Sequence, residues 1–211
     1  MMRLMIAGGA VAMAALLGSC TTMSKDQCLA GAWGEKGYAD GASGYPMTRL
    51  DDHAKACAKY QVTPNPAAYG SAREDGLRSY CTFERGWVEG RAGNTYYGVC
   101  RPEEEQAFLP AYRDGLRLHE VEDAYEAAQG ALRSAEARIE NREDKLEAKQ
   151  NELRGEGLTD EERERIRDRI REVRGEIRDA RRNSRDVRDA LDQAEWDVRR
   201  VRRELSGRYP V

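Results

Sequence analysis

"IRDRIREVRGEIRDARRNSRDVRDALDQAEWDVRRVRREL", residues 166–205, decides how the second half of this chain folds. Its apolar positions are Ile166, Ile170, Val173, Ile177, Ala180, Val187, Leu191, Ala194, Val198, Val201 and Leu205, with Ser184 as the one polar interruption. The spacings alternate four and three, which is an a/d heptad seam with arginines and acids filling the other positions. Such a stripe is buried only against another helix.

The partner stripe lies just upstream. Leu118, Tyr125, Leu132, Ile139, Leu146 and Leu153 repeat with the heptad, accompanied by Val121, Ala128 and Ala135 and then by Arg142 and Lys149. This seam is well specified at its start and poorly specified at its far end. Between the two stripes, "RGEGLTDEE" (154–162) holds Gly155 and Gly157 to stop one helix, and Thr159 with Glu162 to cap the next. The expected element is an antiparallel coiled-coil hairpin over 111–206, turning near 155–159 and followed by a short tail, 207–211. Each arm of about 40 residues spans roughly 60 Å. Matching large against small side chains sets Tyr125 near Ala194 and Leu191 near Ala128. A single continuous helix in a parallel oligomer would have to pass both glycines. Association of hairpins into a homo-oligomer is compatible with the pattern, and Gly155 and Leu158 at the tip are candidate contact residues.

Residues 20–110 are written differently, in short pieces rich in Gly, Tyr and Trp. Ser24 with Gln27 forms a capping box opening a helix through Trp33. Thr48 opens a second, over "RLDDHAKACAKY" (49–60). Asn65 before Pro66 opens a third that reaches about Tyr80, and Thr82 opens a fourth holding Trp87. A fifth follows Pro102, with acids in its first turn, and Pro110 is expected to kink or break it, giving a joint before the hairpin. No segment alternates with period two. The whole chain therefore reads as all-α: a small disulfide-stapled domain followed by a long helical hairpin.

The first residues precede any fold. "MMRLMIAGGAVAMAALLGSC" has the layout of an export signal, with Arg3 and then an uncharged run too short and too rich in Gly and Ala for a comfortable membrane span. Its end, Leu17-Gly18-Ser19-Cys20, resembles a bacterial lipobox. That resemblance implies a signal peptide over 1–19 and a mature chain starting at Cys20, whose thiol carries diacylglycerol and further acyl chains. Thr21 after Cys20, rather than Asp, implies sorting to the outer membrane, facing the periplasm.

Export leaves Cys28, Cys57, Cys81 and Cys100 in an oxidising compartment, where two disulfides are expected. Short loops close most easily, which favours Cys28–Cys57 and Cys81–Cys100. Zinc is the competing use, but no C-x-x-C pair exists and the histidines are only His53 and His119. No metal site and no cofactor beyond the acyl chains is expected. The charge is dense but balanced, 35 basic against 38 acidic residues, and neither half is a basic patch, so nucleic acid is not an expected partner.

A pattern of a small residue followed three and four positions later by an acid and Gly recurs in "GYADG" (37–41), "AREDG" (72–76), "GWVEG" (86–90) and "AYRDG" (111–115). Its carboxylates, Asp40, Asp75, Glu89 and Asp114, are candidate acid/base residues of a small hydrolase. The plainer reading is packing, since small residues at i and i+4 share a helix face and admit another backbone. The acids would then cap a neighbouring helix or pair with a nearby arginine. His53, beside Asp51, Asp52 and Cys57, reads as a surface residue on a short helix. Trp33 and Trp87, with Tyr38, Tyr45, Tyr69, Tyr96 and Tyr97, either line a glycan-binding surface or form the core of a small domain. No phosphate loop, nucleophile elbow or H-E-x-x-H motif is present.

"CLAGAWGEKGYADGASG", "DDHAKAC", "REDGLRSYC", "GNTYYGVC" and "FLPAYRDG", behind a lipobox, resemble the bacterial lipoprotein family known as domain of unknown function 2799, over residues ~20–118. The resemblance implies a cell-envelope location and carries no catalytic residues. Together these readings lead to an expected non-enzymatic outer-membrane lipoprotein whose hairpin meets an envelope protein or the cell wall.

Overall fold

The computed structural model describes residues 22–210. The expected signal segment and Cys20 lie outside the described residues. Within them the chain is seven helices: α1 Lys25–Ala30, α2 Trp33–Ala42, α3 Arg49–Ala58, α4 Pro66–Tyr80, α5 Phe83–Arg91, α6 Pro102–Leu153 and α7 Asp160–Leu205. It divides into two compact units, one ending at Gly76 and the next starting at Leu77. Among the described residues there is no strand, and no helix is long and apolar enough to cross a membrane.

In the first unit, α1 opens on the expected Ser24–Gln27 capping box but does not reach Trp33. Gly31 takes a left-handed conformation at φ 63°, its N–H bonding to Cys28 O while that of Ala32 bonds to Gln27 O. This is the Schellman stop, which glycine adopts without the Cβ penalty. Met23, Cys28, Trp33, Leu50, Cys57 and Tyr69 form the core of this unit. Cys28 is bonded to Cys57 across Cα atoms 5.5 Å apart, tying α1 to α3. Asn65 Oδ1 accepts from Ala68 N at 3.0 Å and starts α4.

In the second unit, Leu77, Tyr80, Cys81 and Phe108 form one cluster, flanked by Tyr96 and Tyr112, and Cys81 is bonded to Cys100. A second cluster joins Trp87, Ala111 and Leu118 to Val201, Leu205 and Tyr209. The far end of α7 and the chain beyond it therefore complete the core around α5 and α6.

Pro110 neither ends nor interrupts α6, contrary to the expected joint. The proline is exposed, and so is Gln106, whose carbonyl loses its partner, so water can satisfy that group. Phe108 and Ala111 on either side are fully buried and anchor this stretch of the helix in the core.

α6 and α7 pack as the expected antiparallel hairpin. Ile166, Ile170, Val173, Ile177, Ser184, Val198, Val201 and Leu205 are buried along α7. Thr159 and Glu162 exchange both capping-box bonds at the turn. Ion pairs run up the two helices in antiparallel order: Arg117 with Glu204, Arg202 with Glu122, Arg188 with Glu136, Arg181 with Glu143 and Arg142 with Glu176. Arg142, one of the two α6 seam positions that lack an apolar side chain, is accommodated by this last pair at 2.6 Å.

Candidate functional site

The four acid–glycine steps make two helix crossings of the same design. In the first, Gly37 and Gly41 of α2 lie against the carbonyls of Tyr69 and Arg73 in α4, and Gly76 of α4 lies against the carbonyl of Tyr38. In the second, Gly86 and Gly90 of α5 lie against the carbonyls of Phe108 and Tyr112 in α6, and Gly115 lies against that of Trp87. At each of these glycines a methyl group would collide with backbone atoms of the opposite helix. The repeated spacing is thus a close-contact device.

Asp40, Glu89 and Asp114 have partners that explain them without chemistry on a substrate. Asp40 is 6% exposed, and its Oδ2 lies 2.5 Å from His53 Nε2 and accepts from the Tyr69 hydroxyl at 2.8 Å. His53 is fully buried, which corrects its reading as a surface residue, and among the described residues Asp40 neither caps a helix nor pairs with an arginine. Three segments distant in sequence meet at one carboxylate, and His53 Nδ1 is buried without a hydrogen-bond partner among the described residues. Burial first, then the bond to Asp40, pushes the Tyr69 phenol well above its usual range. In the second crossing, Glu89 takes the equivalent place, paired with Arg85 at 2.5 Å and accepting from Asn94 Nδ2 at 2.7 Å. Asp114 accepts from the Tyr209 hydroxyl at 3.0 Å and pairs with Arg208 at 2.9 Å. Asp75 stands on the exposed side of α4. Asp40 and Asp75 belong to the first crossing and Glu89 and Asp114 to the second.

Trp33 and Trp87 are core side chains, 4% and 8% exposed, which removes them as a binding surface. Trp87 stacks on Tyr209 with ring centres 4.0 Å apart, and Phe83 also stacks on Tyr209, at 5.5 Å. Tyr209, expected to belong to a tail, is 6% exposed and seals the second unit. No periodic signal marks it, since it lies beyond the last seam residue. The exposed aromatics are instead Tyr38, Tyr45, Phe83, Tyr97 and Trp196. Trp196 falls off the a/d seam of α7, the spacing that could have singled it out.

Toward the hairpin tip, Leu158 is half-buried and Gly155 exposed. Next to them Gln150, Leu153, Arg154, Arg167, Ile170 and Arg174 border a shallow, arginine-rimmed cleft. At the base, burial raises the Glu122 carboxyl, but bonds from Arg202 and Arg91 outweigh it and hold the group below its ordinary value. Among the described residues no cluster of His, Cys, Asp and Glu could hold a metal ion.

No curated protein and no solved structure matches the chain. The family match covers less than half of it and stops inside α6, ahead of the α7 and Tyr209 residues that complete the second core. Within those bounds, residues 32–117 match the family described as Protein of unknown function (DUF2799), the one that the motifs of the first half resemble.

Proposed function

We propose that this protein is a lipid-anchored envelope protein of the outer membrane, facing the periplasm, which works by contact: its helical domain carries a hairpin that engages an envelope protein or the cell wall. The observation that carries the reading is how far α6 and α7 extend past the core they complete. Val201, Leu205 and Tyr209 are enough to close the base over Trp87, Ala111 and Leu118. Beyond them the two helices bury little but each other, over several further heptads ending at Leu153 and Asp160. Ordering that length costs backbone entropy at every residue, and a domain that needed only a core would not require it. The anchoring half of the proposal rests on the lipobox ending at Cys20. Asp40, Glu89 and Asp114 are held by partners within the chain, which supports a structural rather than a catalytic role.

Photo-crosslinking in living cells tests it, with the reactive group placed at Leu158 at the tip and, as a control, at the exposed Tyr97. The proposal expects a discrete envelope adduct from Leu158 that Tyr97 does not give. Identical adducts from both positions, or none from the tip, overturn it.

A further inference from the structure

We infer that α1 lies against the lipid headgroups, held there by a tether too short to let the first unit stand away from the bilayer. The inference deepens the anchoring proposed above and rests on it. Met23 is 2% exposed and belongs to the core with Cys28, Trp33 and Tyr69. Only Thr21 and Thr22 separate it from Cys20, the lipid-bearing position. Three residue steps span about 11 Å at full extension, little more than the headgroup layer itself. The first helix begins two residues after Met23, so α1 shares this confinement.

The surface so confined suits a bilayer. Leu29 is 58% exposed, while its neighbour Cys28 is fully buried. Lys25 lies four residues before Leu29 on the same side of the helix, also exposed. The Cys28–Cys57 bond brings the end of α3 alongside, with Lys59 over the Tyr60 ring at 5.1 Å. An exposed apolar side chain with a lysine on the same helix side, whose stem can lie on lipid while its head reaches phosphate, is the arrangement that interfacial helices use. One leucine and two lysines form too small a patch to hold a protein by themselves, so the short tether supplies the contact and the patch makes it compatible with lipid.

The test uses the full chain, acylated and purified from membranes, in vesicles of phosphatidylethanolamine with phosphatidylglycerol. It is compared with the same chain carrying a Gly/Ser insertion of about ten residues after Thr21, which adds ~30 Å of reach. Hydroxyl-radical labelling, read by mass spectrometry, reports solvent access at Leu29, with Tyr97 and Trp196 as internal references. Leu29 labelling in the native chain is expected to be about fivefold below that in the inserted chain, as for a side chain moved from water into the interface. Equal, strong labelling at Leu29 in two acylated, vesicle-bound chains overturns the inference and leaves the anchoring intact. Equal protection in both overturns the tether as its cause. An N-terminal peptide whose mass lacks the acyl chains overturns the anchoring and this inference with it.

Discussion

Replacing Gly37 by alanine puts a methyl group where α2 meets the backbone of α4. The added carbon would overlap the Tyr69 carbonyl oxygen, with the Tyr69 carbonyl carbon at 2.9 Å and its Cα at 3.0 Å. These are atoms of a helix backbone, which cannot rotate aside as a side chain would, so the two helices must separate. Overpacking of this kind costs about 1–3 kcal/mol, and alanine returns about 1 kcal/mol through its better helix propensity. The separation also loosens the bond from Tyr69 to Asp40, which spans the same crossing. A net loss of about 2 kcal/mol is therefore expected. Gly34 is the matched control in the same helix, because a methyl there meets nothing within 4 Å. Gly34→Ala should stabilise by roughly 0.5–1 kcal/mol through propensity alone. Urea unfolding of the two variants, followed by far-ultraviolet circular dichroism, makes the comparison. If Gly37→Ala is as stable as the wild type, or gains as much as Gly34→Ala, the acid–glycine steps are not close-packing devices.

Asp40→Ala leaves the His53 and Tyr69 donors buried without an acceptor and should cost about 3 kcal/mol in thermal or urea unfolding, since a stranded buried polar group loses its hydration unrepaid. Tyr209→Ala uncovers Trp87 and should cost about 3 kcal/mol while shifting tryptophan emission to the red. Glu122 has a carboxyl pKa below its ordinary 4.5 in the folded chain, so its contribution is present above that pH and lost as pH falls through the folded value. Glu122→Gln should accordingly flatten the decline of stability measured between neutral and acid pH. Removing Cys28–Cys57 by paired serine substitution opens a loop of 29 residues and should cost about 3.5 kcal/mol, read as a fall in the urea midpoint.

The hairpin was legible because a heptad stripe is imposed by helix geometry itself, and its turn carries its own capping chemistry at Thr159 and Glu162. The two crossings were legible as spacing, since only small residues at i and i+4 admit a second backbone. What the spacing hides is which helix answers which: Gly37 belongs with Tyr69 and Gly86 with Phe108, pairings that chain order alone does not give. The Asp40–His53–Tyr69 contact joins residues from three elements, and nothing local distinguishes His53 from a solvated histidine beside two aspartates. Pro110 misled for a different reason. Its cost depends on whether the stranded carbonyl reaches water, and exposure at Gln106 is a property of the packed structure.

The base of α7 closes the core, so the role of the hairpin is tested by shortening it rather than removing it. Glu136 and Arg188 face one another across the two helices at 3.1 Å, and a short loop joining them in place of residues 137–187 keeps Val198, Val201, Leu205 and Tyr209 in position. This shortened chain, expressed in a null strain and scored against the full-length protein for rescue of the null phenotype, is the most direct measurement. The account predicts a folded, anchored protein, with Trp87 still covered, that does not rescue. Full rescue by the shortened chain would contradict it.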